Sequence, residues 1–146
     1  MTIRILAPAD YPALYDMWIH TPGMGLNDLD DSEEGITRYL RRNPATSFVA
    51  EEDGRLVGAI MAGHDGRRGY IHHTAVLPEC RGQHIGSSLV RSALAALEQE
   101  GIHKVALVAF AGNETGNAFW ERMGFTVRTD LTYRNRTLHD MVRIIP

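Results

Sequence analysis

Val76-Leu77-Pro78-Glu79-Cys80-Arg81-Gly82-Gln83-His84-Ile85-Gly86-Ser87-Ser88 reads as the end of an apolar strand, a tight loop and the start of a patterned helix. Such a segment suits an anion. Its glycines let the backbone approach a ligand closely. The first helical turn leaves amides without acceptors, the helix dipole adds about half a positive charge, and Arg81 adds a full one. A diphosphate meets those demands. The same residues also fit a solvated arginine beside a glycine-containing helix start. They do not form a P-loop, because no Gly-Lys-Ser/Thr follows, and they lack the three-glycine dinucleotide fingerprint.

A second group precedes this loop, in Tyr70-Ile71-His72-His73-Thr74-Ala75-Val76. Strand alternation predicts Tyr70, His72, Thr74 and Val76 on one face and Ile71, His73 and Ala75 on the other. With an ordinary pKa near 6.5, His72 is mostly neutral at pH 7 and able to accept a proton. A histidine packed or hydrogen-bonded on a sheet face has the same sequence. His73 is read as structural. The acidic run Asn27-Asp28-Leu29-Asp30-Asp31-Ser32-Glu33-Glu34 can steer a cation, or can serve as a solvated loop and helix start where the dipole favours carboxylates. The seven histidines include no His-Glu-x-x-His or similar spacing, so no metal is expected.

These residues need a scaffold, and the patterning predicts one. A strand over 3–6 leads through Pro8 and Asp10 to a helix whose apolar face carries Leu14, Met17 and Trp18, residues read as core. A second helix over 32–42 has Ser32 as its cap and Ile36, Tyr39 and Leu40 as its inward stripe. Strands over 47–52 and 56–62 are joined by Asp53-Gly54, a strong hairpin signal. A strand over 70–76 then precedes a long helix over 86–100, with Ile85, Leu89, Ala93, Leu94 and Leu97 at helical spacing and Gly101 at its end. A strand over 104–110, a helix over 115–123 stopped by Gly124, and strands near 125–129 and 138–145 complete the order. The sheet is expected to be mixed, antiparallel at its start and parallel where a helix crosses between the strands at 70 and 104.

Composition bounds the rest. A chain of 146 residues, 44% hydrophobic and 23% charged, reads as one globular domain, 1–146, with no block apolar and long enough to span a bilayer. Its first residues lack a secretory pattern and Cys80 is alone, so a reducing cytoplasmic setting is expected, with Cys80 as filler rather than nucleophile. A net charge of -3 argues against a nucleic-acid partner held through its phosphates. No membrane partner is expected, and a homodimer is compatible with the chain.

Val76, Pro78, Arg81 and Gly86 stand in register with the Gln/Arg-x-x-Gly-x-Gly/Ala motif of the GCN5-related N-acetyltransferase (GNAT) superfamily, which the chain thus resembles. One position departs: His84 stands where the middle glycine is usual, and if that backbone needs positive φ, histidine is tolerated at a cost. Asn113-Glu114-Thr115-Gly116-Asn117-Ala118-Phe119-Trp120-Glu121-Arg122-Met123-Gly124-Phe125 is similar to the family's second motif, Asn-x-x-Ala-x-x-Phe-Tyr-x-x-x-Gly-Phe, with Trp120 at the tyrosine. Gly63 to Gly69 is similar to a bacterial subgroup of the family.

The resemblance implies an α/β fold with a GNAT-like mixed central sheet, antiparallel N-terminal strands, a parallel pair at the cofactor site and about four flanking helices. It implies acetyl-CoA as cosubstrate, no metal, and direct transfer of the acetyl group to a primary amine of a small molecule or protein within a ternary complex. Ala75, Val76, Arg81, Gly82, Gln83, His84, Ile85, Gly86, Ser87, Asn113, Phe119 and Trp120 are then the expected cofactor contacts, with an oxyanion donor near Ala75 or Val76. The family's base positions map to His72 and Tyr70, and the acidic run falls where the family's acceptor pocket is walled. Trp120 cannot replace the family's tyrosine acid. Tyr133 is a candidate in its place, or a plain loop tyrosine, and the thiolate can also leave unassisted. The loss at Trp120 favours an alternative, an acyl-CoA-binding regulatory module with little turnover.

Overall fold

The computed structural model describes residues 1–144. Its main sheet has five strands in the order β1-β3-β4-β5-β6. They span Thr2–Ile5 (β1), Phe48–Glu52 (β3), Arg55–His64 (β4), Gly69–Val76 (β5) and Val105–Leu107 (β6). Antiparallel ladders join β1 to β3, β3 to β4 and β4 to β5, and a parallel ladder joins β5 to β6. The mixed sheet expected from the patterning is therefore present. Asp53 and Gly54, at φ of 53° and 75°, make the β3–β4 turn, with positive φ at both central positions as a tight hairpin requires.

Two helices cover one face of the sheet, α1 (Tyr11–Ile19) and α2 (Glu33–Arg42). Ser32 caps α2 by accepting the Gly35 N–H at 3.0 Å. Leu14, Met17 and Trp18 of α1 and Ile36 and Leu40 of α2 are buried against Val49, Ala59, Met61 and Ala75. The other face carries α3 (Ile85–Gln99), whose Ile85, Leu89, Val90, Ala93 and Leu97 pack on Val57, Ile60 and Ile71. Contact there is close: a Cβ at Gly58 would lie 3.0 Å from Ile85 and 3.1 Å from Leu89. The helix α4 (Glu114–Arg122) follows, capped by Asn113 and ended by Gly124 at φ 91°. Among the described residues no helix is long and apolar enough to cross a membrane.

Three expectations need correction. The strand predicted over 104–110 is a ladder only at Val105–Leu107, because β6 leaves β5 after Ile71. The strand near 125–129 does not form. Phe125 is tied to α4 by its N–H to the Trp120 carbonyl, and Val127 beyond it stays 79% exposed with no neighbouring strand to accept it. Of the strand over 138–145, only β7 (Arg143–Ile144) forms, paired with the short β2 (Leu26–Asn27), and residue 145 lies outside the described residues.

Leu89 is fully buried where α3 meets the sheet. Leu89→Ala is expected to cost about 3 kcal/mol, within the 2–5 kcal/mol usual for such cavities, read as a lower urea midpoint with unchanged slope.

Candidate functional site

The site follows from how β5 is paired on its two edges. Along the β4 edge, Ile60 opposes Thr74 and Ala62 opposes Ile71, so His72 and His73 together oppose the single residue Met61. This β-bulge breaks the alternation. Ile71, Thr74 and Val76 therefore share the α3 face with Ile60 and Gly58, while Tyr70, His72, His73 and Ala75 share the α1/α2 face. The sequence reading, which separated His72 from His73 and grouped Thr74 and Val76 with His72, is corrected on this point. A bulge adds one residue to a strand and cannot be seen in a period-2 pattern.

On its other edge β5 loses its partner. The parallel ladder joins Gly69–Ile71 to Val105–Leu107 and stops, so His72 to Val76 face a cleft between diverging strands. The Leu77 N–H donates to the Val57 carbonyl at 2.9 Å, on the β4 side. Since amides alternate along a strand, the N–H of Val76 points the other way, into that cleft.

Past Val76 the chain makes the loop that the sequence marks as an anion site. Gly82 has φ 81° and His84, immediately before α3, has φ 63°, so the histidine in the family's glycine position does adopt the left-handed conformation. The first ladder bond of α3 runs from the Ser88 N–H to the His84 carbonyl at 3.1 Å, leaving the amides of Ile85, Gly86 and Ser87 ahead of it. Arg81 lies exposed beside them, its Nε 3.4 Å from the Val76 carbonyl, and Gln83 is exposed too. Gly86 admits the Phe119 ring, which lies 3.4 Å from where a Cβ would stand. Phe119 packs edge-on to Trp120 at 5.0 Å, and Trp120 edge-on to Phe125 at 5.3 Å. Asn113 is spent on the α4 cap, accepting the Gly116 N–H at 3.0 Å.

A cavity of about 1360 Å³ opens on the α1/α2 side of β5. Its walls bring together Asp30, Asp31 and Glu34, Tyr39 of α2, Tyr70 and His72 of β5, Trp120, and Tyr133. The His72 ring lies 4.7 Å from Tyr70 and meets Tyr39 edge-on at 5.3 Å. Burial first, and then the neighbouring His73, lowers its pKa below 6.5, against the pull of Asp31 and Asp30. Its ring is therefore neutral at pH 7. Burial, with Tyr133 adding to it, raises the pKa of Tyr70, so this hydroxyl donates hydrogen bonds and does not accept protons near neutrality. Burial raises Tyr39 likewise, and its hydroxyl has no hydrogen-bond partner among the described residues. Tyr133 is 65% exposed at the rim, within 3.4 Å of Asn135 Nδ2, which donates to its hydroxyl. Sequence reasoning missed Tyr39 as a neighbour of His72 and Asp31 as the partner of His73, bonded at 2.7 Å. Nothing local signals a contact across 42 residues of chain.

A family model described as the acetyltransferase (GNAT) family matches residues 11–125. An acetyltransferase of Pectobacterium atrosepticum is 29% identical over 140 residues, covering 96% of this chain and 98% of that protein. In solved structures, the PaiA N-acetyltransferase of Thermoplasma acidophilum in complex with coenzyme A is similar with TM-score 0.72 and 21% identity, over 88% of this chain and 92% of that one. The ribosomal-protein-alanine N-acetyltransferase of Brucella melitensis biovar Abortus is similar with TM-score 0.68 and 20% identity, over 93% and 98%.

A left-handed non-glycine residue costs on the order of 1 kcal/mol. His84→Gly should therefore raise Tm, by the part of that cost which glycine's greater freedom in the unfolded chain does not cancel.

Proposed function

The chain belongs to the acetyltransferase (GNAT) family and is an acetyltransferase, and from that premise we propose that it moves an acetyl group from acetyl-CoA to a primary amine by direct attack. The observation that carries this reading is the continuity of the two half-sites. The open edge of β5 leads from the His72 cavity past Val76 to the free amides at the start of α3. Arg81, the loop from Gly82 to His84 and the amides of Ile85, Gly86 and Ser87 would hold the diphosphate. Phe119 and Trp120 would wall the cofactor's arm, with Ala75 and Val76 alongside the thioester.

The amine must arrive neutral, because an ammonium has no lone pair. A lysine-type amine is free only about once in 2,500 molecules at pH 7, and an α-amine near pKa 7.7–8.0 far more often. The nitrogen attacks the thioester carbon, the C–N bond forms, and the carbonyl electrons move onto oxygen, where the Val76 N–H would donate. The tetrahedral species collapses, the C–S bond breaks and coenzyme A leaves as thiolate. The proton shed by nitrogen passes to His72, directly or through water. A thiol of ordinary pKa about 8.5 is a far better leaving group than an amine, so Trp120 in place of a tyrosine does not abolish the reaction. The Tyr133 and Tyr70 hydroxyls are the donors at hand for the sulfur. Acetylation of an amine is the activity named for both solved relatives, which supports the same acceptor class here. The competing reading, a binding module without turnover, is favoured only by Trp120.

Cofactor binding is tested by melting. Acetyl-CoA at a hundred times its Kd adds about 2.7 kcal/mol of stability, and Arg81→Ala should shrink the rise in Tm; no rise at millimolar acetyl-CoA removes the proposal. Turnover is tested by thiol release with a panel of amines. Base catalysis typically contributes about 10² to 10⁴-fold, so His72→Ala should lower kcat/KM by that order and leave the Tm rise intact. Because the pKa of His72 is lowered, its neutral form persists to below pH 6.5, and the acidic limb of kcat/KM should fall below that pH and vanish in His72→Ala. An unchanged limb would move the base role elsewhere.

A further inference from the structure

The β5 bulge places a second histidine beside the first, and that histidine is bound to a buried acid. His73 Nε2 lies 2.7 Å from Asp31 Oδ1, with side-chain exposures of 16% and 5%. The other carboxylate oxygen of Asp31 accepts the Asn27 N–H at 2.8 Å, and its backbone carbonyl accepts the Tyr11 hydroxyl at 2.7 Å. On its other side the His73 ring meets Trp18 edge-on at 4.9 Å. Asp31 immediately precedes Ser32, the cap of the helix that carries Tyr39. One hydrogen bond therefore ties the loop over 27–32 and the start of α2 to the bulge. His72 is caught between them, with its backbone on the bulge and its ring against Tyr39.

Resting on the proposed function, we propose that His73, held by Asp31, is a positioning residue for the acceptor half-reaction: it fixes the bulge and α2 relative to each other, so that His72 faces the amine in one orientation. Three features support this over a plain structural pair. The pair is 42 residues apart in sequence and sits in the cavity wall. Its loop supplies Asp30, which lines the same cavity. Its histidine also acts on His72 through space, opposing protonation there. The titratable and charged groups that share the cavity with His72 are Asp30 and Asp31 from the loop, Glu34, Arg38, Tyr39 and Arg42 from α2, Tyr70 and His73 from β5, and Tyr133 and His139 from the C-terminal segment.

Two variants separate the hydrogen bond from the ring. In His73→Gln the amide nitrogen takes the place of Nε2 and can still donate to Asp31. In His73→Phe the ring remains and the donor is lost. Histidine-labelled protein is titrated by NMR to read the midpoint of His72. Kinetics with acetyl-CoA and a verified amine are measured beside calorimetric acetyl-CoA binding. Both variants should move the His72 midpoint upward, toward 6.5, and the acidic limb of kcat/KM with it. Gln should keep kcat within about threefold, whereas Phe should lose about ten- to a hundredfold, the scale of a misplaced catalytic group. The Kd for acetyl-CoA should stay within about twofold in both. Should the Phe variant not fold, His73→Ala, which also removes the donor, is measured in its place. Equal kcat losses in both variants matching their loss of Tm, or a loss in the Phe variant matched by weaker acetyl-CoA binding, overturns the proposal. The titration needs no acceptor: a moved midpoint in a protein that acetylates no amine would sink the proposed function while sustaining the coupling of the two histidines.

Discussion

Everything in the site descends from the pairing of one strand. β5 is bound along its length to β4 yet joined to β6 over only three residues. A central strand with one edge left open is costly, since backbone groups withheld from water need partners. Here the open edge is lined by Ala75 and Val76 and ends at the loop before α3, so a ligand with its own donors and acceptors can complete the ladder. The arm of acetyl-CoA, with its amides, is such a ligand under the proposed function. The bulge belongs to the same constraint. It lets β5 keep its ladder to β4 while the strand bends away from β6, and turns two successive histidines to one side.

The two halves of the site are built in different ways. The proposed diphosphate site lies within one stretch of chain, 76 to 87, held down because Gly58 lets α3 press directly onto β4 and Leu89 and Leu97 are fully buried beneath it. Its strain is concentrated at His84, which adopts left-handed backbone without being glycine and is kept there by the helix it starts. The proposed acceptor half is assembled from segments far apart: the loop over 27–32, Tyr39 of α2, the histidines of β5, and Tyr133. Its shape depends on long-range contacts, above all that between His73 and Asp31.

That difference explains what could be read in advance. The hairpin at Asp53-Gly54, the cap at Ser32 and the core positions Met17 and Trp18 are local, and each is written in residue type and spacing. The facing of His73 was misread because a bulge shifts the period by one without changing composition. The last strands were misread because alternation reports a capacity to pair and not the presence of a partner. Phe125, Val127, Thr129, Leu131 and Tyr133 alternate as a half-buried strand should, but Val127, Leu131 and Tyr133 stay 79%, 62% and 65% exposed.

This bears on the chemistry at sulfur. A general acid must lie within hydrogen-bond reach of the atom it protonates, about 2.6–3.2 Å. Tyr133 belongs to the segment between Phe125, which is fastened to α4, and Arg143, which is fastened to β2, and its hydroxyl meets only Asn135 at 3.4 Å among the described residues. Tyr70 lies on β5 itself, packed against His72, with burial holding it in the protonated form. Under the proposed function Tyr70 is thus the better anchored of the two hydroxyls, while the low pKa of a thiol makes either donor an aid rather than a requirement. Under the proposed function the demanding proton is the one on the amine, and the long-range contact between His73 and Asp31 lies beside the histidine that would take it.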